Sequence, residues 1–229
     1  GYLAEDQNPF AKIKSRKTTP KAIRYVSVKE FRKLLSAMES LWWQTFISIG
    51  YVCGLRKSEI ENLNWTDVDF ERQLIFVRAK KETPYTLEWE PKDHENREVP
   101  LPEETLQMLA NLQVASPEKS NYIFINKERF EKIKERIRSK NWTGTSQTLN
   151  NVNRDFEKIR KKANVKKCTL HDLRRSAITN WAKKLPIQVV QQLAGHSDIS
   201  TTRKYYLAVR NEDMDQAREL IGKMLALKI

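Results

Sequence analysis

Between Leu41 and Leu55 the chain carries no charged side chain, although 31% of all its residues are Asp, Glu, Lys or Arg. The stretch Leu41–Cys53 reads as a helix, with Leu41, Trp43, Phe46, Tyr51 and Val52 spread around its circumference and Gly54 as its stop. A helix that is apolar on most sides must be covered on most sides. It is too short to cross a bilayer, and Gln44, Thr45 and Ser48 interrupt it. The chain therefore folds around a buried central helix, and 229 residues at 39% hydrophobic content can supply such a core.

Around this helix the pattern alternates little. Ser27-Val28-Lys29-Glu30 has the S-x-x-E form that satisfies orphan N–H groups at a helix start, with Phe31, Leu34 and Leu35 as the apolar face behind it. A short helix is expected at Ser58–Leu63, a turn around Asp67 and Asp69, and strands at Leu74–Val77, Thr86–Glu90 and Arg97–Leu101. Pro102-Glu103-Glu104 opens a further helix, and the remainder is helical apart from an apolar run at Tyr122–Ile125. The expected fold class is mainly α with one small antiparallel β-sheet (α+β).

Charge narrows the partner. With 42 Lys and Arg against 29 Asp and Glu, the net charge is +13, which favours a polyanion, although a merely basic surface gives the same count. Residues 1–24 hold Lys12, Lys14, Arg16, Lys17, Lys21 and Arg24 without hydrophobic periodicity, and read as a basic linker or a frayed end. Lys132–Lys140 and Arg160–Lys167 are basic helical stretches, solvated faces or phosphate contacts. Cys53 and Cys168 form no disulfide framework, which suits a reducing cytoplasm. No signal peptide or membrane segment is legible.

Four short segments hold the polar groups of interest. Gly54-Leu55-Arg56-Lys57-Ser58-Glu59 places an Arg where one helix stops and another begins, so that its guanidinium fork can meet two oxygens of one phosphate. Thr169-Leu170-His171-Asp172-Leu173-Arg174 is a T-x-x-D helix start with His171 and Arg174 on one face. Gly195-His196 ends a helix, and Ser200-Thr201-Thr202 opens another that carries Tyr205 and Tyr206. Taken singly, each segment has an ordinary structural reading: an Arg–Glu pair, a surface His–Arg pair, and one core ring beside one surface ring.

In this order and spacing, G-L-R-x-S-E at 54–59, H-x-L-R at 171–174, G-H at 195–196 and a Tyr nine residues later resemble the tyrosine recombinase (phage integrase) family, over roughly Ser27 to the C-terminus. The resemblance implies the catalytic-domain fold shared with type IB topoisomerases, spanning 25–229. Residues 1–24 would be the linker from an absent N-terminal core-binding domain. A C-terminal helix at 211–229, with Met214, Ala217, Leu220, Ile221, Met224 and Leu225 as its apolar stripe, would dock on its own domain or in trans. The implied activity is site-specific recombination or integration of double-stranded DNA through a covalent 3′-phosphotyrosine, without metal, ATP or other cofactor. It would be carried out by a homotetramer on paired sites, in a prokaryotic or phage-like cytoplasm and nucleoid. Arg56, Arg174, His171 and His196 would surround the scissile phosphate, Tyr205 would attack it, and Glu59 would orient the shell.

The family also takes a proton for the leaving oxygen from a Lys on a β-hairpin, and here the sequence departs from the compact pattern. Counting back from Arg97 gives Lys92; counting forward from Arg56 gives Lys80 or Lys81, with about a dozen residues, roughly 81–90, inserted between the two alignments. Lys92 is preferred because the turn at Asp93–Asn96 should hold it more tightly. His94, in that turn, reads as a surface residue. Two alternatives remain: a type IB topoisomerase-like enzyme that religates the original strand, and a non-catalytic DNA-binding module of the same fold.

Overall fold

Ser27 opens the first helix by the expected exchange of hydrogen bonds: its Oγ accepts from the Glu30 N–H at 3.2 Å, and the Glu30 carboxylate accepts from the Ser27 N–H at 3.0 Å. Helix α1 spans Val28–Ser36, and its Phe31 ring stacks on Tyr51 with centroids 3.9 Å apart. The computed structural model describes residues 24–92, 96–116, 120–142 and 148–207. The basic segment before Arg24, His94 and the helix expected at 211–229 lie outside the described residues.

Helix α2, Leu41–Val52, is the central helix: every residue from Thr45 to Tyr51 is buried. It packs against α7 (Leu170–Ala182) and α4 (Glu103–Ala115), and α3 (Lys57–Glu61) follows it directly. The polar groups inside it are satisfied locally; Thr45 Oγ1, for example, donates to the Leu41 carbonyl at 2.8 Å. Gly54 leaves the helix at φ +62°, and a Cβ there would stand 2.5 Å from the Trp181 ring. Gly54→Ala should therefore cost on the order of 2–4 kcal/mol, the left-handed backbone penalty plus displacement of the indole. A lower denaturation midpoint at unchanged m-value would register it.

The sheet is small and antiparallel, in the order β1 (Val68–Asp69), β2 (Leu74–Val77), β3 (Arg97–Pro100). Asp67 closes a 3₁₀ turn at Trp65–Asp67, while Asp69 accepts from the Glu71 and Arg72 N–H groups; β1 thus occupies part of the expected turn. Val77 pairs with Arg97, and strict alternation along β3 turns Arg97 and Val99 inward. The strand expected at Thr86–Glu90 does not form. Only isolated bridges, Lys80 with Trp89 and Thr83 with Thr86, fold this connection into a narrow arm. The reason is side-chain competition: Leu87 is turned into the core, and its N–H donates to the Tyr122 hydroxyl at 2.8 Å rather than to a ladder partner.

The helices α5 (Lys127–Arg138) and α6 (Val152–Lys162) cover the core with Phe130, Ile133, Val152 and Phe156, leaving their basic residues mostly outward. Helix α8, Ile187–Ala194, packs on β3 and α7. The last helix among the described residues, α9, begins at 199 and continues through 207. Its Tyr205 joins Ile178, Ala182, Val190 and Ala194 in a second apolar cluster. Among the described residues no helix is long and apolar enough to cross a membrane.

Candidate active site

Two helix ends and one buried arginine bring the four polar segments together. Gly54 follows α2 and Gly195 ends α8, both in the left-handed region, so Arg56 and His196 emerge where these helices stop. Arg174, on α7, is 2% exposed; its two terminal nitrogens donate to the Gly54 and Ala194 carbonyls. One guanidinium thus clasps the backbone beside both Arg56 and His196. Burial pushes Arg174 down to about 9, with Glu59 opposing and Arg56 and Arg97 reinforcing, which leaves it charged at neutral pH. Arg56 Nη2 reaches across the same gap to the Gly195 carbonyl at 3.0 Å.

Glu59 is the anionic centre of this arrangement. It is 1% exposed and accepts from the Arg56 N–H at 2.7 Å, from Arg56 Nη1 at 2.9 Å, and from both terminal nitrogens of Arg97 at 2.9 and 2.7 Å. Arg174 lies 3.8 Å away. Burial alone would raise the Glu59 pKa; the Arg97 hydrogen bonds and charge, then Arg174 and the Arg56 N–H, outweigh it and hold the carboxyl below its usual range.

In sequence Arg97 reads only as a strand residue. It is buried, donates from Nε to the Leu193 carbonyl at 3.0 Å, and lies so close to Gly195 that a Cβ there would meet its Nη1 at 3.0 Å. A signal existed: Arg97 shares the inward phase of Val99, and an arginine facing the core needs a carboxylate.

The rings complete the site. His196 is 8% exposed, its Nδ1 lies 3.0 Å from Thr202 Oγ1, and its ring stacks on Tyr205 with centroids 6.2 Å apart. Burial raises the Tyr205 pKa, while Arg174, Arg175, a hydrogen bond from Arg175 and Arg56 pull against it. Tyr206 is different: its hydroxyl donates to the Leu185 carbonyl, and burial alone raises its pKa. Of the two adjacent phenols, only Tyr205 feels the arginines. His171 stands at the accessible start of α7. Partial burial, then Arg175 and Arg174, hold its pKa below 6.5 against the pull of Asp172, with Arg56 adding to the lowering. In the DNA-free protein the His171 imidazole resonances should titrate with a midpoint below 6.5, and Arg175→Gln should raise it. A wild-type midpoint at or above 6.5 would contradict this account.

The three candidate lysines are held very differently, and Lys81 is exposed. Lys92 is exposed in a turn, next to residues 93–95, which lie outside the described set. Lys80 continues β2 inward, its side chain 8% exposed and its Nζ 2.8 Å from Asp67. Tight fixation, expected of Lys92 from the sequence, belongs to Lys80 in the structure.

With this geometry in place, the comparison with known sequences is direct. A profile of the phage integrase family matches residues 24–212. The chain belongs to that family. The tyrosine recombinase XerA of Pyrococcus furiosus is 28% identical over 204 residues, 89% of this chain and 63% of that protein. A tyrosine recombinase of Thermosipho africanus is 29% identical over 220 residues, 93% and 68% of the two chains. This integrase-family chain therefore spans about two thirds of the length of such relatives. A crystal structure of XerA recombinase superposes with a TM-score of 0.63 at 23% identity, covering 89% of this chain and 67% of the other. The Tn1549 transposon integrase, solved in complex with transposon right end DNA, gives 0.64 at 22%, covering 86% and 67%. These likenesses establish the fold: mainly helical with a three-stranded antiparallel sheet, as in tyrosine recombinase catalytic domains.

Proposed function

We propose that this chain is the catalytic domain of a site-specific DNA recombinase that cuts and rejoins double-stranded DNA through a covalent 3′-phosphotyrosine at Tyr205. The observation that carries the reading is the contrast between the two phenols. Tyr205 lies against His196 under the influence of Arg174, Arg175 and Arg56, whereas Tyr206 is tied to the Leu185 carbonyl.

A phenol at neutral pH is a weak nucleophile until it loses its proton. In the proposed step the Tyr205 oxygen bonds to phosphorus, the bond from phosphorus to the 5′-oxygen breaks, and His171 takes the phenolic proton. The guanidinium charges of Arg56 and Arg174 meet the charge gathering on the non-bridging oxygens. His196 hydrogen-bonds one of those oxygens. Glu59 touches no DNA and positions Arg56 and Arg174. The departing 5′-oxygen takes its proton from Lys80. A 5′-hydroxyl from a partner duplex then attacks the phosphotyrosine, giving its proton to the now neutral Lys80, while the bond from phosphorus to Tyr205 breaks and the phenolate takes its proton back from His171. Exchange of that kind requires two sites held side by side, so the working assembly is a homotetramer on paired DNA. Support for duplex DNA as substrate comes from relatives: the Tn1549 integrase was solved with transposon DNA and XerH with its difH substrate.

The test is covalent capture. Incubating the full chain with a pool of randomised duplexes, each nicked so that the released fragment diffuses away, should yield a denaturant-resistant adduct whose peptide maps to Tyr205. Duplex binding without adduct would overturn the reading and leave a non-catalytic DNA-binding module.

A further inference from the structure

We infer that Asp67, with Trp89 of the inserted arm, is the positioning device for the leaving-group acid Lys80; this rests on the assignment of Lys80 proposed above. Lys80 lies three residues beyond Val77, the ladder partner of Arg97, so its backbone stands roughly 10 Å along the strand from the arginine network. Three contacts fix it there. Its backbone exchanges two hydrogen bonds with Trp89, at 2.8 and 3.1 Å; its ammonium sits 5.3 Å from the centroid of the Trp89 ring; and Asp67 accepts from that ammonium at 2.8 Å.

The arm that supplies Trp89 is itself pinned. Lys134 donates to the Thr83 and Pro84 carbonyls at its tip, and the Leu87 N–H anchors its returning limb to the Tyr122 hydroxyl. The insertion noted in the sequence is thus an ordered clamp on Lys80. Asp67 is suited to hold a lysine whose charge changes during the reaction. It is 1% exposed, and it also accepts from Arg78 Nε at 3.0 Å and from the Asn64 N–H at 2.9 Å. When Lys80 gives its proton to the 5′-oxygen and becomes a neutral amine, Asp67 still has a cation and an N–H. The Lys80 ammonium has three N–H groups, and the pair with Asp67 uses one. Burial lowers the Lys80 pKa, with Asp67 opposing, which makes the ammonium a readier proton donor.

A leaving group that needs no proton separates positioning from folding. A duplex selected by the covalent capture above is synthesised with either oxygen or sulfur at the bridging 5′-position of the scissile phosphate. A thiolate, with a thiol pKa near 8.5, departs unprotonated. With the full chain in single-turnover cleavage, Asp67→Asn should slow the oxygen substrate about 10–100-fold and leave the sulfur substrate near the wild-type rate. Lys80→Met should show the same rescue from a deeper loss, about 10²–10⁴-fold. Trp89→Phe should cleave the oxygen substrate faster than Trp89→Ala. Equal slowing of both substrates by Asp67→Asn would make Asp67 merely structural and overturn the inference. So would an unchanged or raised rate on oxygen, the latter meaning that the pair restrains Lys80. Sulfur rescue in Lys92→Met but not in Lys80→Met would instead remove the assignment of Lys80 itself, and the inference with it.

Discussion

Tyr205→Phe should abolish the covalent protein–DNA adduct while leaving duplex affinity and thermal stability close to wild type. The substitution removes one oxygen and nothing else. The phenyl ring still fills the space among Ile178, Ala182, Val190 and Ala194, and still faces His196. The hydroxyl that disappears takes with it one hydrogen bond, from the half-exposed Arg175, so at most about 1 kcal/mol of folding energy depends on it. The chemistry, by contrast, has no substitute nucleophile: the neighbouring Tyr206 points its hydroxyl to the Leu185 carbonyl. Tyr206→Phe should accordingly cost about 1 kcal/mol of stability, the worth of one hydrogen bond, and retain adduct formation. Denaturing electrophoresis of protein with labelled duplex reads both variants. Adduct persisting in Tyr205→Phe and absent in Tyr206→Phe would reverse the assignment of the two rings.

The sequence showed this site unevenly, for physical reasons. Helix ends were legible because their chemistry is local: the Ser27–Glu30 and Thr169–Asp172 boxes formed as read, and Gly54 and Gly195 both took positive φ. The central helix was legible because continuous apolarity leaves no alternative to burial. The arm at Thr86–Glu90 reads as a strand in sequence because β-propensity cannot register that a distant hydroxyl, from Tyr122, captures the Leu87 N–H. Arg97 reads only as a strand residue and Asp67 only as part of a turn for a related reason. Each is an ordinary charged residue in sequence and becomes significant only through partners far along the chain, Glu59 for Arg97 and Lys80 for Asp67. Local order was written in short spacing; ionic networks were not.

The larger stability effect should come from Glu59→Ala. Three guanidiniums, of Arg56, Arg97 and Arg174, converge on this one carboxylate, and two of them are almost fully buried. Exchanging the whole network for apolar residues should cost little, because burying ions is itself expensive. Removing the anion alone is a different matter, since it strands positive charge that cannot reach water. A loss of about 3–5 kcal/mol is expected, read from denaturant midpoints. Glu59→Gln keeps the shape and some hydrogen bonds but not the charge, so its loss should be smaller. The pH dependence follows with a definite sign. Because the folded-state pKa of Glu59 lies below its unfolded value, its contribution is fully present above the ordinary carboxylate range and fades as pH falls through the folded pKa. Wild-type stability should therefore decline on acidification more steeply than that of Glu59→Gln, and parallel declines would show that the arginines are compensated elsewhere. Activity should fall further than stability explains. Glu59 holds Arg56 by its backbone N–H and its guanidinium at once, so without it the fork loses its aim as well as its charge balance.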